Sequence, residues 1–327
     1  MRAVLCKEWG GPEKLVVEDV PVPAMREGAV RIAIQAAGIN FGDLLLVSGQ
    51  YQEKPAFPFT PGMEGAGVVT EIGAGVSSLK AGDRVMALTG TGAFAEEVVA
   101  DAGRVYKIPD KMDFISAAGF PVTYGTSHGA FDWRAHLQPG EWLLVFGAAG
   151  GVGLTAVEIG KAVGAHVIAC ANGPEKLAIA KEHGADHLID YSREDIRERV
   201  KAITGGHNAD VIYDPVGGDA FDAGLRSIAW GGRIIIIGFT SGRIPQIPAN
   251  ILLVKNIDVI GFYWGSHQPR KPELLRDSYS KLLHWFEEGK LKPHVSQHFD
   301  LKDVAQAMDL LRQRKSTGKV VLTTGES

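Results

Sequence analysis

The segment LLVFGAAGGVGLTAVEIGKAVGA, from Leu143 to Ala165, constrains this chain more than any other. Leu143, Leu144, Val145 and Phe146 form an apolar run of the kind a buried parallel strand needs. A glycine-rich turn follows, and then a helical pattern with apolar Leu154, Val157, Ile159 and Val163. Strand, glycine turn and helix in this order make a dinucleotide site out of what would otherwise be a bare glycine pattern. Ala148-Ala149-Gly150-Gly151-Val152-Gly153 fills the G-x-G-x-x-G frame, with alanine in the first place. Gly150 lets backbone approach a pyrophosphate, and Gly153 lets the helix pack tightly on the strand. Ala149, Gly150, Gly151, Val152 and Gly153 are therefore the expected phosphate-binding residues, at the positive end of a helix.

The rest of the chain changes character around this segment. Residues 1 to 122 read as β-rich. Runs near Ala3–Cys6, Leu15–Val20, Ala29–Ala37, Gly65–Ile72, Arg84–Ala87 and Phe94–Ala100 are separated by Gly and Pro, as in an irregular barrel. From residue 123 to 265 strands alternate with helices. Six strands are expected, Trp142–Phe146, His166–Ala171, His187–Ile189, Val211–Asp214, Arg233–Gly238 and Asp258–Phe262, in a doubly wound parallel α/β sheet. Residues 266 to 327 carry no glycine-rich site and are expected to return and complete the first domain.

Composition excludes several classes of function. A net charge of −4 without a long basic run argues against nucleic acid as a partner. No apolar run reaches the roughly 18 residues of a membrane span, and the start MRAVLCKEWGG lacks the pattern of a signal peptide. Cys6 and Cys170 are too few for a disulfide framework, and the expectation is a reducing cytoplasm.

The second strand of the sheet bears on the choice of cofactor. NAD sites place an acid about 20 residues past the glycines, where it binds the ribose 2′-hydroxyl and repels a 2′-phosphate. Here the strand ends Cys170-Ala171-Asn172-Gly173, and no acid appears before Glu175. Lys176 follows it, and Tyr191 and Arg193 follow the third strand. Asn172 with these donors suits NADP(H), whose 2′-phosphate takes charge-assisted hydrogen bonds.

Taken together, these residues resemble the medium-chain dehydrogenase/reductase superfamily, in its zinc-free NADPH:quinone oxidoreductase branch. The matching segments are Ala37–Asp43, Gly49-Gln50-Tyr51, Pro58–Gly67, Ala81–Val85, Ala148–Gly153 and Asp210–Gly217, spread over the whole chain. The resemblance implies a GroES-like catalytic domain plus a Rossmann domain with the active site in the cleft between them. It places Asn40, Tyr51 and Thr123 near nicotinamide and substrate, with Asn40 and Tyr51 as candidate donors to the acceptor oxygen. Asn40 could instead hold a turn, Tyr51 could be a packed loop aromatic, and Asp43 reads as a cap. Lys176, Tyr191 and Arg314 match positions that bind the 2′-phosphate, and Gly238-Phe239-Thr240 matches the loop beside the nicotinamide. Asn250 and the run Gly261–Gly265 are weaker candidates for the cleft wall, and Trp264 could be core or interface. The family also implies a homodimer, joined at the sixth-strand edge from Ile257 to Phe262.

Zinc relatives carry Gly-His-Glu where this chain has Gly62-Met63-Glu64, and Asn40 lies in the segment of their ligand cysteine. No metal is expected, since a catalytic zinc needs about three protein ligands. Without a Lewis acid, acceptors that take hydride readily become natural substrates. The expected activity is NADPH-dependent reduction of quinones. An NADPH-dependent reductase of activated C=C bonds (enones, acryloyl-type compounds) and a non-catalytic NADPH-binding sensor stay open as alternatives. A short-chain dehydrogenase is excluded, because none of the seven tyrosines has a lysine four residues on.

Overall fold

Alternating Val, Ile and Ala along the strand Ala29–Ile39 bury Val30, Ile32 and Ile34 and make it the centre of the first sheet. The strand pairs antiparallel with Glu64–Ile72 on one side and with Lys319–Thr323 on the other. Bulges between Arg31 and Ile32, and between Ile34 and Ala36, bend it enough to pair with Glu97–Asp101 as well. Arg84–Leu88 and Val105–Lys107 extend one side of the sheet, and Val295–Asp300 pairs parallel with Lys319–Thr323 at the other. This is the GroES-like unit of the computed structural model, in which residues 1–325 are described. It comprises Met1–Val122 and the chain from Pro293 onward. Its core includes Ile32, Ile39, Leu46, Phe94, Met308 and Leu322.

The second unit, Thr123–Lys292, holds a six-stranded, wholly parallel sheet. Its spatial order is His187–Asp190, His166–Ala171, Trp142–Phe146, Ala209–Asp214, Ile228–Ile236, Asp258–Gly261. Numbered along the chain this is 3-2-1-4-5-6, the Rossmann order, with its switch point between Trp142–Phe146 and Ala209–Asp214. Leu144, Phe146, Ile212 and Ile234 are buried because helices cover both faces of the sheet. Among the described residues no helix is long and apolar enough to cross a membrane.

Three expectations are corrected. The chain does not rejoin the first unit at residue 266, because helix Pro272–Glu287 stays with the second. Its inner face buries Leu275, Ser278, Tyr279, Leu282 and Trp285, and Ser278 Oγ meets His128 Nδ1 at 2.9 Å. The fifth strand runs from Ile228 to Ile236 and not from Arg233 to Gly238, and the bond from Ile237 N to the Asp214 carbonyl is the last of its ladder with the fourth strand. The sixth strand likewise ends at Gly261, and Phe262 N continues the line only as a bond to Ile236 O.

Candidate active site

At the C-terminal end of the first Rossmann strand, Gly150 stands at the N-cap of helix Gly151–Val163. Glycine supplies no side-chain cap there, so the first-turn N–H groups stay available to an anion. A Cβ at Gly153 would lie 2.1 Å from the Gly147 carbonyl oxygen, so only glycine lets this turn close. A Cβ at Gly150 would meet only Gly147 O, at 3.3 Å, which leaves an open face for pyrophosphate. Ala148 and Ala149 are buried beneath the turn, the latter against Ala171 and Leu177. The neighbouring turn Asp214–Gly217 closes the switch point, with Val216 and Pro215 against Gly147. Asp214 shapes that turn by accepting from Val216 N and Gly217 N through Oδ1, while burial raises its carboxyl above the usual range. This cradle fits a nicotinamide dinucleotide.

The ends of the second and third strands lie side by side, with Ala171 paired to Asp190. Asn172 is exposed, Lys176 sits half-buried in the first turn of helix Pro174–Glu182, and Tyr191 is exposed directly after the third strand. Sequence reasoning passed over Asp190 between them. Its Oδ1 accepts from Ser192 Oγ (2.6 Å), Ser192 N (3.0 Å) and Gly173 N (3.2 Å), and Arg193 lies 3.9 Å from Oδ2. The Ser192 hydroxyl, with these backbone donors, holds the carboxyl below its ordinary range. The acid is thus engaged within its own loop, and Arg193 is turned toward it. Arg314 belongs to the first unit, exposed in a left-handed turn after helix Val304–Arg312.

The loop after the fifth strand carries Gly238, Phe239 and Thr240. Thr240 donates through N and Oγ1 to Pro215 O, both at 3.1 Å, and Gly242 N closes on Phe239 O. The loop is therefore fixed to the switch-point turn. Thr123 is buried near the start of helix Pro121–Gly129, and its carbonyl accepts from Thr155 Oγ1 at 3.1 Å. Trp264 is a core residue, buried against Gly125. Asn250 is exposed on helix Ala249–Lys255, in a surface groove with Arg226 and Lys255.

In the first unit Asn40 is the N-cap of helix Phe41–Val47 and forms a capping box with Asp43, whose Oδ2 accepts from Asn40 N at 2.8 Å. Asn40 Nδ2 donates to Glu64 Oε1 at 2.8 Å and reaches Gly38 O at 3.4 Å, while Oδ1 accepts from Lys319 Nζ at 2.7 Å. Lys319 Nζ also donates to Glu64 Oε1 (2.8 Å) and Ile39 O (2.7 Å), which uses all three of its hydrogens. Glu64 Oε2 accepts from Val122 N at 2.7 Å. A Cβ at Gly38 would lie 2.6 Å from Glu64 Oε1, so that glycine makes room for the cluster. Burial pushes Asp43 up to about 7, against the pull of Asn40 N–H and Lys319. Tyr51, half-buried, is tied through its N–H to Leu45 O and packs with Met63 over Gly42.

Sequence reasoning gave Glu64 no role beyond its motif and passed over Lys319. Their partnership spans 255 positions, and no local pattern could have announced it. The same geometry leaves Asn40 with both amide hydrogens committed inside the protein. Among the described residues no three His, Cys, Asp or Glu side chains gather as metal ligands, Met63 offers a thioether, and both cysteines are buried. The residues present do not fit a catalytic zinc.

Comparison with known proteins agrees with this architecture. Residues 26–110 match the family model described as alcohol dehydrogenase GroES-like domain, and residues 151–288 match that described as zinc-binding dehydrogenase. Quinone oxidoreductase-like protein 2 homolog of Nematostella vectensis is 49% identical over 99% of this chain and 89% of that protein. Quinone oxidoreductase-like protein 2 of Bos taurus is 42% identical over 98% of this chain and 92% of its own length. The crystal structure of Escherichia coli quinone oxidoreductase complexed with NADPH superposes with a TM-score of 0.92 at 31% identity, covering 99% of this chain and 100% of the other. The chain belongs to the quinone oxidoreductase family of medium-chain dehydrogenases/reductases.

Proposed function

We propose that this oxidoreductase reduces quinones with NADPH by hydride transfer, without zinc. One observation carries the cofactor preference: Asp190, paired with the end of the second strand, is engaged by Ser192 and Gly173, while Lys176 and Tyr191 lie on adjacent segments. A site of this kind favours a 2′-phosphate over a bare 2′-hydroxyl. The names of the relatives, and NADPH in the Escherichia coli structure, support the same reading.

When bound, the cofactor supplies the hydride. The N–H groups of Gly151, Val152 and Gly153 hold its pyrophosphate at the helix start, with Ala149 and Gly150 forming the turn. Lys176 and Tyr191 would hold the 2′-phosphate, with Asn172 toward the ribose. Gly238, Phe239, Thr240 and Thr123 would line the nicotinamide half. Tyr51 donates a hydrogen bond to the acceptor oxygen, which stabilises charge as it develops there. Asn40, whose amide hydrogens go to Glu64 and Gly38, acts by holding the helix that leads to Tyr51. No side chain is assigned as general acid, and water protonates the product. We place the reaction in the cytoplasm, and the working unit is a homodimer joined along the open edge of Asp258–Gly261.

Steady-state turnover of one simple quinone with NADPH and with NADH tests the reading. It predicts a preference for NADPH of about tenfold or more, the size of a lost charge-assisted contact. Equal turnover with both cofactors would contradict it.

A further inference from the structure

The helix that carries Thr123 and the helix of the glycine turn are tied by a reciprocal pair of hydroxyl bonds. Ser127 Oγ, on helix Pro121–Gly129, reaches the carbonyl of Val152 in the glycine turn at 2.9 Å. Thr155 Oγ1, on helix Gly151–Val163, reaches back to the carbonyl of Thr123 at 3.1 Å and also lies 3.0 Å from Val152 O. Each hydroxyl stands about one turn from the carbonyl its own helix presents, so both pairs share a face. Between them Ser127 Oγ and Thr155 Oγ1 are 2.8 Å apart. From the strand below, the phenol of Tyr213 lies 2.9 Å from Ser127 Oγ. Ser127 and Tyr213 are fully buried, and Thr155 nearly so.

Three hydrogens serve this cluster. Tyr213 donates to Ser127, Ser127 donates to Thr155 Oγ1 or to Val152 O, and Thr155 donates to Thr123 O. Both receiving carbonyls lie in helices whose backbone already uses them, so the extra bonds add nothing that helix formation requires. What they do add is a fixed register between two segments. One places the pyrophosphate-binding N–H groups, and the other places Thr123. Buried hydroxyls linked in this way are stiff, because any slip leaves a donor unpaired.

We propose that Ser127, Thr155 and Tyr213 are positioning residues that set the register of Thr123 against the glycine turn, and with it the alignment of the nicotinamide. This rests on the cofactor reading above and adds residues to it that touch neither reactant. Hydride transfer is sensitive to such alignment, since a misplacement of about 1 Å can cost on the order of a hundredfold in rate.

The test uses the full chain, NADPH and a simple benzoquinone. Thr155→Val removes one hydroxyl at nearly constant shape, and Tyr213→Phe removes only the phenol oxygen. Each should lower kcat by about tenfold while NADPH affinity, read by nicotinamide fluorescence, is retained. The deuterium isotope effect with C4-deuterated NADPH should rise as hydride transfer becomes slower than release. Thr155→Ser should restore kcat and the isotope effect together. Wild-type kcat and isotope effect in both variants overturn the proposal. So does a fall in NADPH affinity and kcat in step with the melting temperature, which is what loss of packing alone would produce. If Thr155→Val does not fold, Tyr213→Phe decides. A wild-type protein that binds no NADPH removes the functional reading and this proposal with it, and that result is distinguishable because it needs no variant.

Discussion

Asp43 shows how a single residue can be indispensable to local structure and still carry an electrostatic cost. It is fully buried, completes the capping box of Asn40, and feels the charge of Lys319, which is paired with Glu64. Its carboxyl is raised from 3.8 to about 7 by burial. A raised acid holds its proton in the folded state where the unfolded chain has released it. Its contribution to stability is therefore fully present below about pH 4 and is lost as pH rises to about 7, at up to about 1.4 kcal/mol per pH unit. Asp43→Asn keeps an oxygen for Asn40 N–H and has nothing to titrate. Chemical denaturation between pH 4 and 8 should show the wild type losing stability relative to this variant as pH rises. Parallel curves would show that Asp43 ionises normally. His128 opposes Asp43 in the wild type, since burial lowers its imidazole to about 4 and removes stability as pH falls below 6.5. The comparison with the variant cancels that contribution. At the cofactor end, Lys176→Ala should raise KM for NADPH by about tenfold and leave KM for NADH unchanged, as loss of a phosphate contact requires. Equal effects on the two would remove Lys176 from the 2′-phosphate site.

Two glycines of one turn make separable predictions at the scale of the element. Gly153→Ala places a Cβ 2.1 Å from Gly147 O, and backbone must move to admit it. Thermal unfolding should show a loss of about 1–3 kcal/mol, typical of forced overpacking. Gly150→Ala asks only a few tenths of an ångström of Gly147 O and should lose much less melting temperature than Gly153→Ala, while losing NADPH affinity if its methyl meets the proposed pyrophosphate. Equal melting temperatures for the two variants would contradict this division. The turn was legible because its strand is uniformly apolar and its glycines fall at motif spacing between that strand and the helix. Helix Pro121–Gly129 was not. It is buried on nearly every side, so VTYGTSHG shows no 3.6-residue alternation, and its two glycines read as breakers. That helix carries Thr123 and Ser127. Site candidates that rest on a local motif can be named from sequence, whereas the pairings that depend on distant partners, Glu64 with Lys319 and Ser127 with Val152, cannot.

The alternation of strands and helices in the second unit predicted the six-stranded parallel sheet, because each strand–helix–strand crossover is right-handed and brings the chain back to the same sheet in the same direction. The point where the chain leaves that unit was misplaced by more than twenty residues, since an amphipathic helix announces that it has a buried face but not which unit buries it. The edge strand Asp258–Gly261 raises a similar question at the scale of assembly. It is open on one side, and the helix before it exposes Leu253 and Val254. An uncovered edge next to apolar side chains favours pairing with a second copy. Sedimentation at micromolar concentration should give twice the mass of the chain, and a single-chain mass would count against the dimer. The central claim concerns the acceptor. NADPH oxidation, followed by nicotinamide absorbance with a simple quinone and a small enone in parallel, tests it most directly. The account predicts turnover of the quinone with little or none of the enone. Turnover of the enone alone would contradict it and move the protein to the reductases of activated C=C bonds, while NADPH binding without turnover of either would point to a sensor.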